Sequence, residues 1–154
     1  MHSPVFRPAT KSDIPAIVAM LADDPLGARR ESPAQPLPSS YYAAYSAISA
    51  DPNNELIVCT IEDRVVGVMQ LTFIPYLTYR GSWRALIEGV RIASSERNSG
   101  VGTRMFEHAI ARANARRCVM LQLTTDRERP DALRFYEKLG FVASHHGMKL
   151  KLAP

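Results

Sequence analysis

A mixed α/β fold, one sheet with helices on both of its faces, is what the sequence predicts, and three observations carry that expectation. Two β-rich runs, Glu55 to Ile61 and Arg64 to Ile74, are separated only by Glu62-Asp63 and read as an antiparallel hairpin. A strand pattern running to Ala93 passes through a glycine turn into an amphipathic helix and then into a second apolar run, Val119 to Thr124. A strand-helix-strand unit of this kind implies a right-handed crossover with parallel pairing. Helical periodicities on either side of these segments complete an expected order of β-α-α-β-β-β-α-β-α-β-β within one domain, residues 1–154.

Taken in order, Val5-Phe6-Arg7 before Pro8 is a short first strand. Thr10 or Ser12 then caps a helix through about Leu21 whose apolar face is Ile14, Ile17, Val18 and Leu21. Asp23 to Ser40 holds Pro25, Gly27, Pro33, Pro36 and Pro38 and is expected to be a loop, either a connector or a lid on a substrate side. Tyr41 to Ser49 is a second helix, with Tyr42, Ala44 and Tyr45 free to pack or to line a pocket. After the hairpin, in which Gly67 allows a bulge, Pro75 to Ser82 links to a strand from Trp83 to Ala93.

The helix after the glycine turn presents Met105, Phe106, Ala109, Ile110 and Ala113 on one face, with His108 off that stripe. Val119 to Thr124 reads as a strand buried on both faces. Arg129-Pro130-Asp131 opens the last helix, with proline where its missing N–H is harmless, and Gly140 stops it. Phe141 to Ser144 and Met148 to Leu152 are expected to be the final short strands.

Composition narrows the function. With 46% apolar and 22% charged residues the chain has the balance of a globular protein, and no apolar run approaches the roughly eighteen residues of a membrane span. The opening MHSPVFRPAT lacks the apolar core of a signal peptide, which predicts a cytoplasmic protein. The net charge of +4 comes from scattered arginines, densest at Arg112, Arg116 and Arg117 late in a helix, where cations complement the helix dipole. No basic groove with interleaved aromatics is visible, so no nucleic-acid partner is expected. Cys59 and Cys118 stand alone in apolar runs, which points to reduced thiols and to no metal site.

The stretch with the clearest chemistry is Glu88 to Ile110, whose turn Arg97-Asn98-Ser99-Gly100-Val101-Gly102 reads R-x-x-G-x-G. At a helix N-terminus the first backbone N–H groups lack helical partners and the peptide dipoles add partial positive charge. Glycines let that backbone approach a diphosphate closely. A P-loop needs Lys-Ser/Thr after the second glycine, where Thr103-Arg104 stands, and a dinucleotide fingerprint needs three glycines with an acidic residue about twenty positions on. Neither pattern is present. The turn instead resembles motif A of the GNAT N-acetyltransferase superfamily, which holds the pyrophosphate of acetyl coenzyme A at a helix start.

Two further segments carry the same resemblance. Ala132-Leu133-Arg134-Phe135-Tyr136-Glu137-Lys138-Leu139-Gly140-Phe141 reads A-x-x-F-Y-x-K-x-G-F and is similar to motif B, and Arg7 to Asp13 matches the R-x-A-T-x-x-D opening common in the family. Many members carry asparagine three residues before the motif B alanine, where this chain has Arg129. The run Arg129, Asp131, Ala132, Arg134, Phe135, Tyr136 resembles a subset that includes aminoalkylphosphonate acetyltransferases.

The resemblance implies the acyl-CoA N-acyltransferase fold and direct acetyl transfer, within a ternary complex, from acetyl-CoA to a primary amine of a small molecule. An alkylammonium of pKa about 10.4 must lose its proton first, and Glu88 matches a position where members have a glutamate acting as general base through water. A strand bulge after that glutamate, which Gly89-Val90 permits, aims a backbone N–H at the thioester carbonyl. Backbone groups of Val90 and Ile92 would pair with the pantetheine arm, and Asn98, Ser99, Gly100, Val101, Gly102 and Thr103 would hold the pyrophosphate beside Arg97. Arg91, Ala132 and Phe135 complete the implied cofactor set, and Tyr136 is the acid for the departing thiolate. Tyr76, Tyr79 and Trp83 are candidates to narrow the acceptor site. Alternatives are a protein or peptide N-acetyltransferase and a non-catalytic acyl-CoA sensor, and the resemblance also admits a homodimer.

Overall fold

Arg7 and Asp13 set the entry to the fold. The Arg7 guanidinium donates to both carboxylate oxygens of Asp13, at 2.7 and 3.0 Å, while the backbone N–H and hydroxyl of Thr10 donate to Asp13 Oδ2 at 2.7 and 3.0 Å. One carboxylate thereby joins the end of the first strand to the first helix, which is the physical content of the R-x-A-T-x-x-D pattern. The structure, a computed structural model, describes residues 2–153 and divides into two compact units, Met1–Gln122 and Leu123–Pro154.

The first unit is a five-stranded sheet in sequence order: β1 (Val5–Pro8), β2 (Asn54–Ile61), β3 (Arg64–Pro75), β4 (Trp83–Ile92) and β5 (Met120–Gln122). Neighbours are antiparallel except β4 and β5, which run parallel as the crossover predicts. The β2–β3 turn puts Glu62 and Asp63 at φ 50 and 61, the left-handed pair of a tight hairpin. A register shift opposite Cys59 falls beside Gly67, where the sequence allows a bulge.

Strand alternation assigns the helices to opposite faces. Val58 and Val68 meet Ile14, Ile17 and Val18 of α1 (Ile14–Ala22), with the tyrosines of α3 (Ser39–Ala50) packed around them. On the other face α5 (Val101–Ala115) buries Val101, Met105, Phe106, Ala109 and Ala113. Gly67 is needed there, because a Cβ on it would lie 2.6 Å from Met105 Sδ. Ile110, expected in this stripe, is 39% exposed. His108, off the stripe, stacks on Phe6 with ring centroids 4.8 Å apart.

Four expectations need correction. Within the stretch expected to be a loop, Pro25–Arg30 forms helix α2, because Asp24 accepts from Gly27 N–H at 2.5 Å as its N-cap and Pro25 stands at the first helical position. The connector after β3 holds a short turn, α4 (Thr78–Gly81), whose Tyr79, Arg80 and Gly81 are left-handed at φ 53, 62 and 71. The run from Val119 to Thr124 yields only the three half-buried residues of β5, and Val119 is exposed. Residues 141–153 form no strand: Val142, Met148, Leu150 and Leu152 are exposed, so no buried face pins a register.

The late arginines of α5 have structural work. Arg112 pairs with both oxygens of Glu55 at 3.0 and 2.5 Å, and Arg116 donates to the Pro52 carbonyl and to Asn53 while lying 4.4 Å from the Phe73 ring centre. The second unit holds helix α6 (Pro130–Lys138). Among the described residues, no helix is long and apolar enough to cross a membrane.

Candidate active site

The site is built around an irregularity in β4. Glu88 pairs with Gln70 and Arg91 with Val68, so three steps on β4 oppose two on β3 and the extra residue falls at Gly89-Val90. Gly89 takes φ +62, which glycine adopts without steric cost. Glu88 stands immediately before this bulge, exposed, on the sheet face that Val58 and Val68 present to α1. A would-be Cβ on Gly89 points toward Leu21 of α1, 4.0 Å away.

Beyond the bulge, Ala93 N–H donates to Val66 on the β3 side at 2.8 Å. Alternation therefore turns the peptide groups of Ile92 and Val90 to the opposite edge. On that edge β5 pairs only with Arg84 to Leu86, and its ladder stops there. Val90 and Ile92, the two residues expected to pair with an extended ligand arm, thus face the side where the strand partner has ended.

The glycine turn continues from β4 into α5. Asn98 is left-handed at φ 62, and Gly100 is the N-cap of α5 at φ 88 and ψ −3. No side chain caps this helix, and the first backbone acceptor inside it is Gly100, bonded by Arg104 N–H at 3.2 Å. The Ser99 hydroxyl turns back to the Glu96 carbonyl at 2.5 Å instead of capping the first turn. A Cβ on Gly100 would meet nothing within 4 Å, so the space before the helix is clear. Val101 is buried and anchors the turn, leaving the amides of Val101, Gly102 and Thr103 at the helix start. These features fit a diphosphate.

Two residues of this region were not found by sequence reasoning. Asp24 Oδ2 lies 3.5 Å from Arg91 Nε, both side chains largely buried, and Arg91 Nη1 donates to the Val90 carbonyl at 2.7 Å. Asp23 lies 3.7 Å from Arg97, both exposed. Of the aromatic candidates for the acceptor side, Tyr76 and Tyr79 flank the Arg84 guanidinium, which sits 4.1 Å from the Tyr76 ring centre and 5.0 Å from that of Tyr79.

In the second unit, Tyr136 is held by the end of its own helix. Gly140 N–H donates to the Glu137 carbonyl at 3.0 Å and Phe141 N–H to that of Tyr136 at 3.1 Å, the paired bonds of a Schellman cap, with Gly140 left-handed at φ 96. Phe141 packs edge-on against Tyr136, centroids 6.0 Å apart, and Phe135 does so at 5.7 Å. The G-F of the second motif is therefore the cap that fixes the tyrosine ring. Ala132 and Phe135 are half-buried on the same helix.

Neither cysteine offers a nucleophile. Burial pushes the Cys59 thiol up to about 11, and burial also raises Cys118, so thiolate is scarce at neutral pH. Cys118, which stands in an apolar run of the sequence, precedes β5 and is half-buried.

Comparison with known proteins gives this arrangement a family. The model of the Acetyltransferase (GNAT) family matches residues 18–141. A transcriptional regulator from Bacillus halodurans C-125 is 53% identical, with 97% of this chain and 100% of that chain covered and a TM-score of 0.95. A putative acetyltransferase from Agrobacterium tumefaciens str. C58 is 28% identical over 96% and 99% of the two chains, TM-score 0.79. The fold alone is shared with a predicted acetyltransferase with acetyl-CoA from Clostridium acetobutylicum, 16% identical over 97% of each chain, TM-score 0.73. None of the curated proteins matches. A bulged β4 feeding an uncapped, glycine-led helix is thus found in a chain matched over most of its length by one family model, and the protein belongs to the GNAT acetyltransferase family.

Proposed function

We propose that the protein transfers an acetyl group from acetyl-CoA directly to the primary amine of a small molecule. The observation that supports this most is the continuity of three features along one stretch: an exposed carboxylate at Glu88, the bulge at Gly89-Val90, and the uncapped helix start led by Gly100. Amides at the helix start and Arg97 would hold the diphosphate, and the edge groups of Val90 and Ile92 would hold the extended arm. The thioester supplies the acetyl group when bound. The chain's own part is to orient it and to move protons. Glu88 draws the ammonium proton off through water, a backbone N–H at the bulge polarises the carbonyl, and Tyr136 protonates the leaving sulfur.

Cys59 and Cys118, with raised thiol pKa values, favour direct transfer over a cysteinyl acyl-enzyme. The test is coenzyme A release from acetyl-CoA with aminoalkylphosphonates, polyamines, aminoglycosides, amino acids and a lysine peptide as acceptors. Tyr136→Phe is expected to lower turnover roughly 10²- to 10⁴-fold with little change in coenzyme A affinity. Unchanged turnover would remove the acid role.

A second reading follows from the 53% identical transcriptional regulator: an acyl-CoA-binding sensor without turnover. Tight coenzyme A binding with no release from any acceptor would select it. Turnover on the lysine peptide alone would move the substrate class to proteins.

A further inference from the structure

The corner between α1 and α2 is fastened to β4 by contacts that run in series. A Cβ on Gly27 would lie 1.9 Å from the Leu21 carbonyl oxygen, so α2 rests directly on the end of α1, and Leu21 in turn approaches the bulge at Gly89. Asp24 spans the same elements through its side chain. Its Oδ1 caps α2 at Gly27 N–H, 2.5 Å away, and its Oδ2 faces Arg91 Nε at 3.5 Å. The side chains of Asp24 and Arg91 are 22% and 14% exposed, so their attraction is weakly screened, unlike that of Asp23 and Arg97 at 59% and 51%.

Arg91 also donates to the carbonyl of Val90, a peptide group on the edge proposed to take the ligand's arm. We propose that Arg91 and Asp24 form a latch that reports occupancy of that edge to α2, with Asp24 as a positioning residue. This rests on the coenzyme A reading above. An amide donor on the arm that claims the Val90 carbonyl displaces Arg91 Nη1 from it. The guanidinium then closes on Asp24, and a separation longer than a hydrogen bond shortens into a charge-assisted one. Because Asp24 is the N-cap of α2, that closure settles the segment on the sheet face that carries Glu88, and the acceptor side takes shape when the acyl donor is in place.

Hydrogen–deuterium exchange of the full chain, with coenzyme A at saturation as the probe, tests this. The ligand is expected to slow amides 98–103 and also amides 26–31, the latter about fivefold or more. With coenzyme A raised until each variant is saturated, Arg91→Gln, which leaves the Asp24 cap intact, should abolish the second effect, and Asp24→Asn should do likewise. Asp23→Asn should behave as wild type. A purely structural role for Asp24 would loosen 26–31 in the free protein without changing the ligand-dependent difference, and that result overturns the latch. Protection confined to 98–103 in the wild type, or protection of 26–31 retained in Arg91→Gln, also overturns it and leaves the coenzyme A reading standing. No protection and no heat of binding remove both together.

Discussion

Asp13 accepts four hydrogen bonds from Arg7 and Thr10. The Arg7 guanidinium holds its carboxyl down to about 2, against the desolvation that would raise it. A carboxylate depressed in the fold contributes stability that is complete above its unfolded value of 3.8 and is lost as pH falls through about 2. Asp13→Asn should therefore cost about 1–2 kcal/mol at pH 7, a figure reduced because Arg7 is partly exposed. The difference from wild type should shrink below pH 4 and vanish only below about pH 2; a difference that stays constant as pH falls through that range would refute the assignment. The sequence displayed Arg7, Thr10 and Asp13 at recognisable spacing because all three lie within one turn of chain. Asp24 and Arg91 are 67 positions apart, and no local pattern announces a pair that only the folded sheet brings together.

Elements were legible where periodicity and punctuation agreed. The β2–β3 hairpin was bounded within a residue at each end, and the bulge at Gly89-Val90 was what the family resemblance implied, glycine at 89 permitting it. Helix α2 was hidden by its own signals. Pro25 and Gly27 suggest a break, yet Asp-Pro is also an N-cap followed by a first-turn proline, and Gly27 is there for close contact with Leu21. The hairpin turn offers a test of this reading. Glu62 and Asp63 both hold positive φ without being glycine, a conformation that disfavours side chains with a Cβ. Replacing the pair with Asn-Gly should raise stability by about 1 kcal/mol, read from the denaturant midpoint at constant m. A loss of stability would show that the turn is held by its side chains.

Across the whole molecule, buried apolar area is concentrated in the first unit. Val58, Val66, Met69, Leu71 and Phe73 are at most 1% exposed, whereas Met148, Leu150 and Leu152 in the second unit are 92%, 85% and 91% exposed. The alternation Met-Lys-Leu-Lys-Leu from 148 to 152 is as regular as that of a true strand, so the pattern alone predicted one. A strand also needs a ladder and a face to bury, and neither accompanies this segment in the structure. The difference is measurable as a pair of substitutions. Leu71→Ala should cost about 2–5 kcal/mol, the range for emptying a packed site, while Leu150→Lys should change stability by less than about 0.5 kcal/mol. A cost near 2 kcal/mol for Leu150→Lys would mean that the side chain is buried in solution after all. The C-terminal alternation would then be doing what its sequence suggests, and the sheet would extend beyond β5.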